Sequence, residues 1–213
     1  MTRQILTLLT LVLAVAFTTS CSLAPITPRV DAASVGKGVF KIENNVSPSS
    51  FSVIYGAGEK FDVGLDLELI MATAWGRYSF FNSPNGFSLA VNGGVFVGDA
   101  DIKSNGYFSG LIASNQWSPK FRTTASVRYA ELDYQFSPEY DDDYWFDWYD
   151  AVFFDNSEEG SANIQADLTL SFLVKPYIEL ALGAVCQHLP RVKDSTRRSE
   201  GCVPTIGFSY YRL

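Results

Sequence analysis

The stretch Ser137 to Gly160, SPEYDDDYWFDWYDAVFFDNSEEG, carries nine carboxylates and eight aromatic rings with no base. Connections this long are usually functional or disordered, and so many rings argue against disorder. Asp141, Asp142, Asp143 and Asp147 offer the hard oxygen donors that Ca²⁺ takes, but their spacing is not that of an EF-hand loop, which needs a glycine at its sixth position. We assign no metal and no cofactor to them. Asp141, Asp142, Asp143, Trp145, Asp147 and Trp148 fit better as a contact surface for a protein partner, because aromatic anchors dominate interface energies. The alternating acids and rings also suit flanking strands prolonged into water. His188 is the single histidine. Beside it, the expected loop His188 to Gly201 holds Ser195 and Glu200. Histidine, serine and an acid can activate a nucleophile, with Ser137 a second candidate hydroxyl. No spacing brings these groups together, and we expect no catalytic centre. The same loop carries Arg191, Lys193, Arg197 and Arg198, which read as solvated bases.

At the N-terminus, Arg3 precedes an apolar run from Ile5 to Phe17. Its length suits the core of a signal peptide and is too short to span a bilayer. Thr18-Thr19-Ser20-Cys21 follows, and small residues before a cysteine resemble the lipobox of bacterial lipoproteins, with Thr18 where that family has leucine. The resemblance implies cleavage before Cys21 and lipidation of its thiol, with Ser22 directing the product to the outer membrane. Cleavage after Ala14-Val15-Ala16 is the alternative. On the lipoprotein reading, residues 1–20 are a signal peptide. Residues 21–34, with Pro25 and Pro28 and no periodicity, form a tether. Lipid on Cys21 leaves Cys186 and Cys202 as a disulfide pair, which export permits.

From Val35 to Leu213 the pattern is strand after strand. In Ala162 to Phe172, Ala162, Ile164, Ala166, Leu168, Leu170 and Phe172 alternate with Asn163, Gln165, Asp167, Thr169 and Ser171. Such period-two alternation marks a sheet with two unlike faces. It recurs around Phe61–Leu69, Phe87–Val97, Phe121–Tyr129, Ile178–Ala184 and Ile206–Tyr210. Weaker versions lie at Val35–Glu43, Phe51–Gly56, Ala72–Phe81 and Tyr107–Asn115. We expect one all-β domain, an antiparallel up-and-down barrel of eight to ten strands. Four connections read as short: 57–60, 82–85, 116–119 and 175–176. Four others read as longer: 44–50, 98–104, 137–160 and 188–201. One turn near Ile70-Met71 is tight.

Alternation fits two barrels. A soluble lipocalin-like barrel, binding a small apolar ligand, turns its apolar face inward. A membrane barrel turns it outward. The polar faces hold Asp62, Asp66, Glu68, Asp167 and Glu179 against Lys37, Lys41, Arg77, Arg122 and Arg128. This balance predicts a lumen closed by ion pairs, since an unpaired buried charge costs several kcal/mol, roughly. Aromatics near strand ends (Tyr55, Phe61, Phe80, Phe81, Phe87, Phe121, Tyr129, Phe172 and Tyr210) suit girdles at a membrane interface. With these features, Val35 to Leu213 resembles small bacterial outer-membrane β-barrel proteins. The ending Thr205-Ile206-Gly207-Phe208-Ser209-Tyr210-Tyr211-Arg212-Leu213 is similar to their insertion signal, with Leu213 replacing the usual phenylalanine. The resemblance implies residence in outer-membrane lipid and a structural or interaction role at the cell envelope, including an envelope protein partner for the acidic aromatic stretch. A lipid-modifying enzyme is the less favoured reading.

Composition sets the outer limits. The chain has 213 residues, 18% charged and 15% aromatic, with net charge −7. Abundant rings and little charge exclude a disordered chain, and the acidic balance argues against nucleic acid as a partner.

Overall fold

A computed structural model describes residues 27, 31–47, 49–68, 71–83, 85–99, 102–136, 161–175, 177–188 and 200–212. Ten strands follow in sequence order: β1 (Phe40–Ser47), β2 (Ser50–Gly56), β3 (Phe61–Glu68), β4 (Met71–Phe81), β5 (Phe87–Asp99), β6 (Ile102–Ser118), β7 (Phe121–Phe136), β8 (Ser161–Lys175), β9 (Ile178–His188) and β10 (Glu200–Arg212). Each pairs antiparallel with its sequence neighbours, and β1 pairs antiparallel with β10 to close the barrel. An even strand number lets an up-and-down sheet close without a parallel seam.

Strands form here because side chains sort cleanly by parity. Along β8, Asn163, Gln165, Asp167, Thr169 and Ser171 are buried while Ile164, Leu168, Leu170 and Phe172 are exposed. The apolar face is therefore the outer one. Leu168 is 56% exposed and Leu180 37%, so neither lines a central cavity.

Strand lengths are uneven. β1 to β3 have seven or eight residues, whereas β6 and β7 have 17 and 16. The wall is thus low on one side and tall on the other. All four connections at the end holding Phe40 and Arg212 are short. At the opposite end, three connections are equally tight, and only those between β7 and β8 and between β9 and β10 are long. The longer connections expected at 44–50 and 98–104 are therefore corrected. β1 runs to Ser47 and β5 to Asp99, because Asn45 and Gly98 keep their ladder partners Ser50 and Met71. We call the first the turn end and the second the loop end.

Two glycines with positive φ, Gly36 (97°) and Gly38 (81°), fold the chain into β1. The Gly38 N–H donates to the Gly56 carbonyl at 2.7 Å, and the Val39 N–H to that of Gly36 at 3.1 Å. Lys37 sits exposed at the tip of this bend. Its assignment to the lumen is corrected: the residue precedes β1 and sits in the Gly36–Gly38 bend, where the strand's alternation does not extend.

Glycines in the wall make room for a large ring. Trp75 on β4 is flanked in the sheet by Gly64 on β3 and Gly94 on β5. A Cβ on Gly64 would fall 2.2 Å from the indole, and one on Gly94 would fall 2.8 Å from Trp75 Cβ and 2.9 Å from the Phe108 ring. Gly64→Ala is expected to lose about 1–3 kcal/mol by overpacking, read by equilibrium urea unfolding. Gly58→Ala, in an open turn, should stay within about 0.5 kcal/mol.

Candidate functional site

Two surfaces could carry function: the lumen and the outer belt. The lumen is polar and charged. Arg77 on β4 faces its ladder partner Asp62 on β3, donating to the same carboxylate oxygen from Nε at 2.9 Å and from Nη2 at 2.6 Å. Lys41 on β1 lies 2.7 Å from Glu43 and 3.9 Å from Glu179 on β9. Arg122 on β7 bridges Glu179 at 2.7 Å and Asp31. Arg122 and Asp31 are mostly buried and the other groups almost fully so, and each charge therefore relies on its partner for compensation.

Four other candidates also point inward, and their contacts include neutral groups. Asp66 accepts from the Trp75 indole N–H at 2.8 Å, and Asp167 from the Ser126 hydroxyl. Glu68 accepts from the Thr27 N–H at 2.8 Å and from its hydroxyl. Arg128 donates to the Thr27 carbonyl at 3.0 Å, with its guanidinium 4.9 Å from the Phe108 ring centroid.

The segment expected as a tether lies inside the barrel wherever it is described. Thr27, Ala32 and Ala33 are buried. The Ala32 N–H donates to Ser114 Oγ at 3.1 Å, and its carbonyl accepts from Ser79 Oγ at 2.7 Å. The Asp31 carbonyl accepts from Arg77 Nη1 at 2.5 Å. Ser34 Oγ donates to Asp62 at 2.7 Å, and the Val35 N–H reaches the same oxygen at 3.2 Å. Peptide groups from this segment thus meet side chains of β3, β4, β6 and β7, as a buried backbone requires.

An apolar cluster shares the lumen: Ile54, Met71, Trp75, Phe96, Phe108 and Ala130, with Val35 packed against it. Sequence reasoning missed it. The signal was present in Val95-Phe96-Val97, where three apolar residues in succession must place one ring on the polar face. Glu43 was missed too, although it shares the parity of Lys41. Asp31 has no periodic context and gave no signal.

The outer face is apolar. Among the described side chains, the charged residues outside the lumen are Lys37, Glu59, Lys60, Lys120 and Lys175 at the turn end and Glu131 and Asp133 toward the loop end. Aliphatic residues such as Leu65, Val95, Leu111, Val127 and Leu168 lie between. Rings gather at the turn end, in the pairs Phe40–Tyr55, Tyr78–Phe80, Phe121–Phe172 and Tyr177–Tyr210, with centroids 4.7 to 5.9 Å apart. Trp117 is exposed there and donates its indole N–H to Thr123 at 2.8 Å. Toward the loop end, the exposed Tyr107 hydroxyl donates to Glu131.

Cys186 and Cys202 are ladder partners on β9 and β10 and are joined by a disulfide with Cα atoms 4.0 Å apart. Cys21, Asp141, Asp142, Asp143, Trp145, Asp147, Trp148, Ser137 and Ser195 lie outside the described residues, as do the bases of the 189–199 connection. His188 and Glu200 are ladder partners at the ends of β9 and β10.

The chain matches no family model, and no curated protein matches it. Solved structures with a similar trace include neisserial surface protein A (NspA), at 11% identity and TM-score 0.37, covering 82% of this chain and 97% of that one. The N-terminal β-barrel domain of Pseudomonas aeruginosa OprF gives 8% identity and TM-score 0.34, covering 83% of this chain and 99% of that one.

The lumen generates a direct test. Asp62→Leu strips Arg77 of its buried counter-charge and releases Ser34 and Val35, and should cost about 3–5 kcal/mol in urea unfolding. Adding Arg77→Met should recover part of that loss, because the double variant buries no lone charge.

Proposed function

We propose that this chain is an integral β-barrel of the bacterial outer membrane, with a structural or interaction role and a lumen that conducts nothing. One observation carries the reading: the wall is apolar outside and charged inside. In water this arrangement exposes greasy surface and buries ions, the reverse of a stable soluble barrel. In lipid both faces are satisfied, and closure leaves no unpaired sheet edge. The belt, free of charge among the described side chains and bounded by rings at the turn end and by Glu131 and Asp133 toward the loop end, fits the apolar band of about 25 Å such barrels present.

Short turns face the periplasm in this architecture and long loops face outward. The acidic aromatic stretch 137–160 then projects from the outer surface, where Trp145 and Trp148 could anchor an envelope protein partner. Export by a signal peptide and lipidation of Cys21 belong to the same reading. A lipocalin-like carrier is less well supported, since its apolar face would line a cavity rather than the exterior.

The deciding experiment replaces one outward leucine at mid-strand. Leu168→Arg should cost about 2–4 kcal/mol of folding free energy in a lipid bilayer, and Val174→Arg, at the turn end, about 0–1 kcal/mol. A negligible effect of Leu168→Arg, together with release of the wild-type protein by osmotic shock, would overturn the proposal. Reconstituted wild-type protein should also show no steady conductance.

A further inference from the structure

The contacts of the N-terminal segment give it a direction. Ser34 meets Asp62 at the turn end of β3, and Asp31 meets Arg122 near the turn end of β7. Thr27 meets Glu68 and Arg128. Glu68 lies six residues further along β3 than Asp62, and Arg128 six residues further along β7 than Arg122. Both strands run from the turn end to the loop end, so two separate walls report the same displacement. Six strand residues rise about 20 Å. Barrel strands tilt by about 35–45°, so the drop along the axis is about 15 Å, within reach of the chain between Thr27 and Ser34. It therefore descends the lumen from the loop side to the turn side. The Gly36–Gly38 bend then reverses it into β1.

We infer that the chain preceding Thr27 leaves the barrel at the loop end, on the side opposite the C-terminus. This rests on the membrane reading above and adds a topology to it: the mature N-terminus is displayed on the outer surface. The way back is closed, because Asp31 to Val35 already occupies the turn side of the lumen. Six residue steps separate Cys21 from Thr27 and reach at most about 20 Å. That is enough to clear the loop-end rim and too little to return outside the wall to the turn end. A lipid on Cys21 would accordingly insert in the leaflet at the loop end. The barrel thus acts as a conduit for its own N-terminus, with Glu68, Arg128, Arg77 and Asp62 holding the thread.

The test separates threading from membrane orientation. For threading, the pairs Thr27→Cys with Glu68→Cys and Ala32→Cys with Ser114→Cys are made in full-length protein lacking Cys186 and Cys202. Both should cross-link under mild oxidation; failure of both overturns the inference whatever the membrane result. For orientation, an epitope is inserted after Ala24, after Asn156 or after Gly58 in separate full-length proteins expressed in cells. Antibody on intact cells should label the Ala24 and Asn156 tags equally, and the Gly58 tag only after permeabilisation. Protection of the Ala24 tag while the Asn156 tag is labelled overturns the inference and leaves the proposed function standing. Protection of both tags, with cross-links intact, overturns the membrane reading and the outward display with it.

Discussion

Closure of β1 on β10 is the constraint on which everything else depends. A sheet with free edges presents a row of unpaired amides and carbonyls, which lipid cannot satisfy and which water-borne sheets must shield. Once Phe40 to Ser47 pair with Ile206 to Arg212, no edge remains and the wall has only two faces. Period-two geometry then forces every residue to one face or the other. The alternation in β8 is therefore a statement about two environments, one greasy and one charged.

A closed wall of ten strands encloses more space than its own side chains fill. Eight strands leave an interior just wide enough for packed side chains, and diameter grows with strand number. The surplus here is taken up in two ways. Trp75, Phe96 and Phe108 turn large rings inward over Gly64 and Gly94, and residues 31–35 add a further strand's width of backbone. The threaded segment brings peptide groups with it, which are costly to enclose unless bonded. Ser79, Arg77, Ser114 and Asp62 meet that need, and Asp31 adds a carboxylate for Arg122. Ion pairs and plug are thus one network: Asp62 binds Arg77 through one oxygen and the plug through the other.

The antiparallel barrel and its outward apolar face were legible in the sequence, because each strand repeats the same signal and ten repeats reinforce one another. The paired charges Asp62–Arg77 and Arg122–Glu179 were legible as types on a face, although partners across a sheet depend on register, which alternation does not fix. Lys37 was misassigned because parity was extended three residues before the true start of β1, across a glycine bend that resets it. The plug was illegible for a deeper reason. Residues 22–34 have no period, and a segment bonded through its own backbone needs no pattern of side chains to be held. The apolar cluster broke alternation inside strands, where runs such as Val53-Ile54-Tyr55 and Val95-Phe96-Val97 betrayed it.

Uneven wall height ties these pieces to the acidic stretch. β6 and β7 are about twice as long as β1 to β3, and their outer faces carry Glu131 and Asp133 near the loop end. Charged groups cannot remain in a hydrocarbon layer cheaply, so in a bilayer these two acids mark where the apolar belt stops. Phe136 lies beyond both, and the 24 residues of 137–160 continue from it. The tall wall thus carries β7 past the last of these outward acids before the strand ends. Strands of seven or eight residues thus suffice to close the ring at β1 to β3, and the added length of β6 and β7 carries the wall beyond its outward acids.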